Sequence, residues 1–316
     1  MEETVFQWKR TKEGGACILR GYGASPFVVV PDEMEGIPVT ELGDYCFSDS
    51  GKEGKDGQFS AFQRELSGKF IQKVSLPDSV KKIGNLAFYN CTGLEEIQMG
   101  PALAEFGSDA FMNCLHLKTI RIRCGIVEKN GLKQLLGQRT SDTTVIFEKE
   151  NQVEAVLLYP EYYEMYDEVG PAHFFALNLT GEGFRARQCF REGIVDLSQY
   201  DGVFEQATAE ESPHTLCQMA VNRLCYPAGL SQEARARYQA YLGKQEEILV
   251  QDLIRAHSLE VLETLFQEDI LTANGKEESV RLASQSGWPE GAAAMLRLQQ
   301  KSADSGKKDR YSFDDF

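Results

Sequence analysis

The segment IQKVSLPDSVKKIGNLAFYNCTG (residues 71–93) runs directly into LEEIQMGPALAEFGSDAFMNCLH (residues 94–116), and the two agree at their apolar and turn positions. Val74, Ile97 and Ile120 follow one another at intervals of 23 residues. The same offset joins Gly84 to Gly107, Phe88 to Phe111, Asn90 to Asn113, Cys91 to Cys114 and Leu94 to Leu117. Many matches at one offset are not chance, and a period in the twenties marks a solenoid.

Each unit has a physical reading. Ile71-x-x-Val74-x-Leu76, Leu94-x-x-Ile97-x-Met99 and Leu117-x-x-Ile120-x-Ile122 share one spacing, and its closing alternation predicts a short strand with one buried face. Stacked coils then form a parallel sheet. Ile83-Gly84-x-x-Ala87-Phe88 and Phe106-Gly107-x-x-Ala110-Phe111 fill the opposite side: glycine permits a turn, alanine a close backbone, and phenylalanine plugs the interior. Asn90 and Asn113 are placed to bond turn backbone. An earlier, looser unit runs from Val28-Val29-Val30 to Leu42-Gly43-x-x-Cys46-Phe47. Gly43 and Gly84 lie 41 apart, one period plus 18 residues, so Ser48 to Leu66 reads as a surface loop inserted between coils. After Arg123 the pattern fades into a helical turn, Lys133 to Leu136, and a last strand, Thr144 to Phe147, as solenoid ends require.

Gly21-Tyr22 and the run from Val28 to Phe47, together with Leu-Pro-x-Ser-Val-x-x-Ile-Gly-x-x-Ala-Phe-x-x-Cys-x-x-Leu over Leu76 to Leu94, resemble BspA-type leucine-rich-repeat proteins. The likeness covers about residues 1–150. It implies a leucine-rich-repeat domain, a bacterial origin and a role in binding other proteins. Many such proteins are surface adhesins. This chain has few repeats and no export signal at Met1-Glu2-Glu3-Thr4, and both differences count against adhesion.

Past residue 150, helical spacing replaces alternation. Glu247, Val250, Leu253, Ala256 and Glu260 match Glu277, Val280, Ala283, Ser286 and Glu290 at an offset of 30. Each copy reads as helix, tight turn, helix. The pairs resemble ankyrin helix pairs from about residue 245, without the ankyrin Thr-Pro-Leu-His element. Ser212 to Tyr226 predicts a further helix, and Ser231 caps another. The Tyr/Phe/Glu-rich stretch 151–210 is the least legible, and Tyr159 to Tyr166 reads as a helix packing its rings on the solenoid end. The expected class is therefore α+β: a β-solenoid domain (1–150), a mostly α-helical domain (151–300) and a polar, disordered tail (301–316).

Composition narrows the function. A net charge of −15 and a pI near 4.9 oppose nucleic-acid binding, which needs excess cations. The longest apolar runs are far shorter than a membrane span. Eight cysteines without a CxxC pair fit reduced thiols in a cytoplasm. No phosphate loop, zinc-protease, EF-hand or nucleophile-elbow pattern occurs, and the four histidines lack ligand spacing. No cofactor, metal or small-molecule substrate is expected, nor an enzyme. Cys189 is the one thiol with an activating context, because Arg185, Arg187 and Arg191 could favour its thiolate. Cys91 and Cys114 occupy equivalent places in adjacent coils, where buried thiols are expected and a disulfide is conceivable.

The alternation turns Ser75, Gln98 and Arg121 outward in one row, with Arg123 beside it, and these are the binding-face candidates. Their cationic end suits an acidic peptide. Phe313 and Phe316, set among aspartates at the chain end, are candidates for a short docking peptide. The expected function is an intracellular protein–protein interaction scaffold or adaptor. The alternatives are a cell-surface adhesin and an enzyme with its site in 151–245.

Overall fold

A computed structural model describes the backbone of residues 4–49, 64–169 and 174–308, and the side chains of these except 167–169, 174–178 and 301–308. The chain divides into two compact units, residues 1–203 and 204–316. The insertion expected between coils lies mostly in 50–63, outside the described residues, as do Phe313 and Phe316.

The first unit opens with β1 (Val5–Arg10), β2 (Ala16–Tyr22), β3 (Phe27–Val29), β4 (Glu33–Met34) and β5 (Ile37–Leu42). The repeats supply β6 (Lys73–Ser75), β7 (Lys82–Ile83), β8 (Glu96–Met99), β9 (Glu105–Phe106) and β10 (Thr119–Ile122). Helix α1 (Leu132–Leu136) precedes β11 (Thr143–Lys149) and β12 (Gln152–Tyr159). Then come β13 (Tyr163–Val169), β14 (Phe174–Thr180), α2 (Gly183–Ala186), β15 (Phe190–Arg191) and β16 (Ile194–Val195). Each repeat places one strand in each of two sheets: one ordered β1-β2-β5-β7-β9 with β4 beside β5, the other β12-β11-β10-β8-β6-β3.

Repeat positions become columns in the core. Val28, Val74, Ile97, Ile120 and Val145 share one register and are buried. Phe47 stacks on Phe88 at 5.3 Å, and Phe88 on Phe111 at 5.1 Å. The turn side is tied coil to coil by backbone bonds, including Phe47 N to Ala87 O at 2.7 Å and Phe88 N to Ala110 O at 2.8 Å.

The glycines act differently from the expectation of a turn. A Cβ on Gly84 would lie 2.5 Å from Asp44 N, and one on Gly107 would lie 2.4 Å from Asn85 N. They are needed for close stacking, not for a left-handed φ. That conformation falls two residues later, on Tyr45, Leu86 and Asp109, and again on Asn90 and Asn113. Asn113 Nδ2 donates to Asn90 Oδ1 at 2.8 Å, so these side chains bond each other across coils.

Past β10 no further repeat covers the coil, and α1 with its following residues closes it. Gln138 Oε1 accepts from Ala110 N (3.1 Å) while Gln138 Nε2 donates to Gly107 O (3.0 Å). The buried Arg139 guanidinium donates to Cys114 O and Leu117 O. Arg139 thereby ties the cap to the last coil, beside the bond that Cys114 O already accepts from Leu117 N (3.2 Å).

Residues 151–195 carry strands and one short helix, and the long helices begin with α3 (Leu197–Glu210). The helix expected over Tyr159 to Tyr166 is instead the end of β12, three residues without regular structure (160–162) and the start of β13. The tyrosines of this run favour a pleated strand.

In the second unit, α4 (Pro213–Cys225), α5 (Gln232–Lys244), α6 (Glu246–Arg255), α7 (Leu259–Gln267), α8 (Ala273–Gln285) and α9 (Pro289–Lys308) follow. Ser212 and Ser231 accept from Thr215 N and Ala234 N as N-caps. The 30-residue offset is seen as two helix pairs, α6–α7 and α8–α9. Left-handed residues His257 (φ 51°) and Gly287 (φ 76°) occupy equivalent turns. The His257 ring stacks on Trp288 at 4.7 Å, a turn-packing role. Helix α9 runs to Lys308, past the point where the tail was expected to begin.

Candidate functional site

The outer face of the sheet that contains β6, β8 and β10 follows from the pleat. Val29, Ser75, Gln98, Arg121 and Ile146 lie in one register row, with Phe27, Lys73, Glu96, Thr119 and Thr144 in the next. Three expected residues are thus brought into one line. Ser75 Oγ donates to Gln98 Oε1 at 3.1 Å.

The face is not a free cationic end. Glu96 Oε1 bridges Lys73 Nζ (2.6 Å) and Arg121 Nε (3.3 Å), and Arg121 also pairs with Glu148. Arg123 turns aside to Asp78 Oδ1 (2.7 Å) and the carbonyl of Leu76. Each arginine expected to receive an acidic peptide already holds a carboxylate. The face is charge-balanced at its centre and apolar at one edge, where Phe27 is 57% and Val29 67% exposed. Lys73 and Glu96 share the 23-residue offset, so sequence could have placed them. Glu148 sits beyond a longer, irregular step and could not be placed that way.

A cavity of about 370 Å³ opens beside the C-terminal ends of β8, β10 and β11, lined by Asp78, Gln98, Arg123, Glu128, Glu148 and Lys149 among others. Glu128 accepts from Lys149 Nζ at 3.0 Å and from Gly125 N, and these bonds hold its carboxyl below the usual range. This wall is polar and paired.

The sheet's margins differ. Tyr200 Oη both accepts from Leu158 N (3.1 Å) and donates to Leu158 O (2.6 Å), which blocks the β12 edge. At the other margin Ser25 Oγ bonds both Phe27 N and Phe27 O.

Residues 60–134 match the BspA type leucine-rich repeat region, in six copies. This stretch of the solenoid is a BspA-type leucine-rich repeat region. Leucine-rich-repeat proteins generally mediate protein–protein interaction. No curated protein sequence matches the chain. Among solved structures, the chain is similar to a leucine-rich cell surface protein from Faecalibacterium prausnitzii A2-165. That similarity has 21% identity and a TM-score of 0.27, over 49% of this chain and 44% of that one. It is also similar to the leucine-rich repeat protein of T. pallidum, with 24% identity and a TM-score of 0.22, over 46% of this chain and 79% of that one. The chain thus spans less than half the length of the F. prausnitzii protein.

The Cys189 environment is the reverse of an activated thiol. Cys189 is buried, and burial first, then Asp196 and Asp201, push its pKa up to about 11. The three arginines are engaged elsewhere. Arg185 holds Glu182 (2.5 Å), and Arg191 holds Asp196 (3.1 Å). Arg187 donates to Pro160 O, Gly183 O and Ser141 O. Cys91 and Cys114 are not bridged: their thiols donate to Phe47 O and Phe88 O, each at 3.1 Å. Among the described residues no group of His, Cys, Asp and Glu is arranged to hold a metal, and no helix is long and apolar enough to cross a membrane.

Proposed function

We propose that the protein is an intracellular scaffold that binds a partner protein on the outer strand face of its repeat region, through Ser75, Gln98 and Arg121 and their neighbours Phe27, Val29 and Ile146. The observation that carries this reading is the in-register outer row: one charge-balanced face with an exposed apolar margin. Such a face suits a partner surface of mixed polarity better than an acidic peptide. The cysteines support a reducing compartment, since all are free and Cys91 and Cys114 bond carbonyls inside the core. The helix pairs α6–α7 and α8–α9 are read as an ankyrin-like second module, on the strength of the 30-residue offset.

The test is affinity capture from native cytosol with wild type and with a Gln98→Arg/Ile146→Arg variant. Both substitutions flank Arg121 in the register row and place positive charge on the face without removing a carboxylate from it. A partner captured by wild type and lost from a variant of unchanged melting temperature supports the strand face. A partner retained by the variant removes the function from that face.

A further inference from the structure

We propose that the β13–β14 hairpin is a docking arm that accepts an extended, cationic segment of a partner protein as an added strand. Its root is fixed. Tyr162 is buried, its backbone N donates to Thr140 O at 2.9 Å, and its ring packs edge-on to Phe184 and beneath Arg187. Glu161 N donates to Asp142 Oδ1 at 2.8 Å. Immediately beyond this root the side chains open to solvent. Tyr163 is 57%, Met165 56% and Tyr166 66% exposed, and Leu179 on the facing strand is 39% exposed. Register puts Tyr163 and Met165 on one face, and Glu164, Tyr166 and Leu179 on the other.

Among the described residues the hairpin is a two-stranded sheet, with seven residues in each strand and no third strand on either side. Such a ribbon is marginal alone in water, and its unpaired edges are templates for another strand. Charge selects the occupant. Between Lys149 and Arg185 the sequence holds no lysine or arginine, while Glu161, Glu164, Asp167 and Glu168 cluster on β13 and its approach. The charge argument belongs to the β13 edge, since β14 carries no acidic residue, and a second copy pairing there through its own β13 would set carboxylate against carboxylate, which is destabilising across strands. An incoming strand bearing lysine or arginine meets the opposite charge. It also meets tyrosine faces, which attract cations. Strand addition supplies main-chain bonds, and the alternating side chains supply selectivity.

The probe is a labelled peptide of alternating lysine and valine, followed by fluorescence anisotropy against the full chain at about 0.15 M salt, where long-range attraction is screened. Two controls are the same peptide with glutamate for lysine and one with a central proline, which keeps the charge but cannot pair as a strand. The expected result is binding of the lysine–valine peptide alone. Binding should weaken by about tenfold or more in Glu164→Lys/Tyr166→Lys and stay unchanged in Gln98→Arg/Ile146→Arg. Equal binding of the proline peptide, or no loss in the hairpin variant, overturns the proposal. So does failure of the peptide to bind, and so does a dimer by sedimentation that the hairpin variant abolishes, which would give the ribbon to a second copy. A partner lost only from the Gln98→Arg/Ile146→Arg variant bears on the strand face and leaves this inference intact.

Discussion

Asn90 shows how much one repeat residue does. It sits at φ 59°, and its side-chain oxygen accepts from Asn113 in the next coil. Asn90→Gly keeps the backbone and loses the bond, whereas Asn90→Ala loses the bond and strains the backbone by roughly 1–2 kcal/mol. Alanine is therefore expected to lower stability more than glycine, by about 1 kcal/mol in urea unfolding. Equal losses would mean that the side-chain bond alone matters. The asparagines were visible in sequence as a 23-residue echo, but their partner was not, because stacking distance is not written in one coil. Cys189 carries the opposite lesson. Neighbouring arginines in sequence implied a reactive thiol, yet the fold directs every one of those guanidinium groups elsewhere. Labelling at neutral pH is expected to modify Cys189 no faster than the other buried cysteines, and all eight should react on unfolding.

At the scale of the element, the coil was legible because its period, strand alternation and phenylalanine plugs all agree. The glycine reading had the residues right and the reason wrong. Gly107 faces the backbone of the preceding coil, so Gly107→Ala forces the coils apart and should destabilise by about 2 kcal/mol or more. If the cost is that of an exposed turn, a few tenths, the close-approach account fails. The terminal cap was half legible: a helical turn was foreseen over Lys133 to Leu136, but Arg139 was not. Arg139→Met removes the donors to Cys114 O and Leu117 O while relieving the burial of a charge. Cys114 O keeps its bond from Leu117 N, so the carbonyl left without this donor is Leu117 O, and its loss should dominate, with a net cost of about 1 kcal/mol in thermal or urea unfolding. Residues 151–195 defeated the reading because non-repeating strands lack a period, and tyrosine-rich alternation with glutamate fits either element over so short a run.

At the scale of the molecule, a common chemistry runs through both units. Cys17, Cys124, Cys189 and Cys225 have pKa values raised to about 11, and Cys114 and Cys217 to about 12. Cys46 and Cys91 are raised further. Burial is the largest cause in every case. The folded chain therefore holds these protons more tightly than the unfolded chain, whose thiols titrate near 9.0. This contribution to stability is complete below that value and is lost as pH rises through 11–12. Urea midpoints should be level with respect to the thiols up to about pH 9 and decline steeply above it. Buried tyrosines push the same way, because Tyr159 is raised well above its ordinary range. Alanine at Cys46 and Cys91, compared with wild type over pH 9 to 10.5, isolates the share of the two most strongly raised thiols. A flatter decline in that variant assigns part of the alkaline limit to these two solenoid thiols, and an identical decline assigns it to the remaining thiols and the phenols.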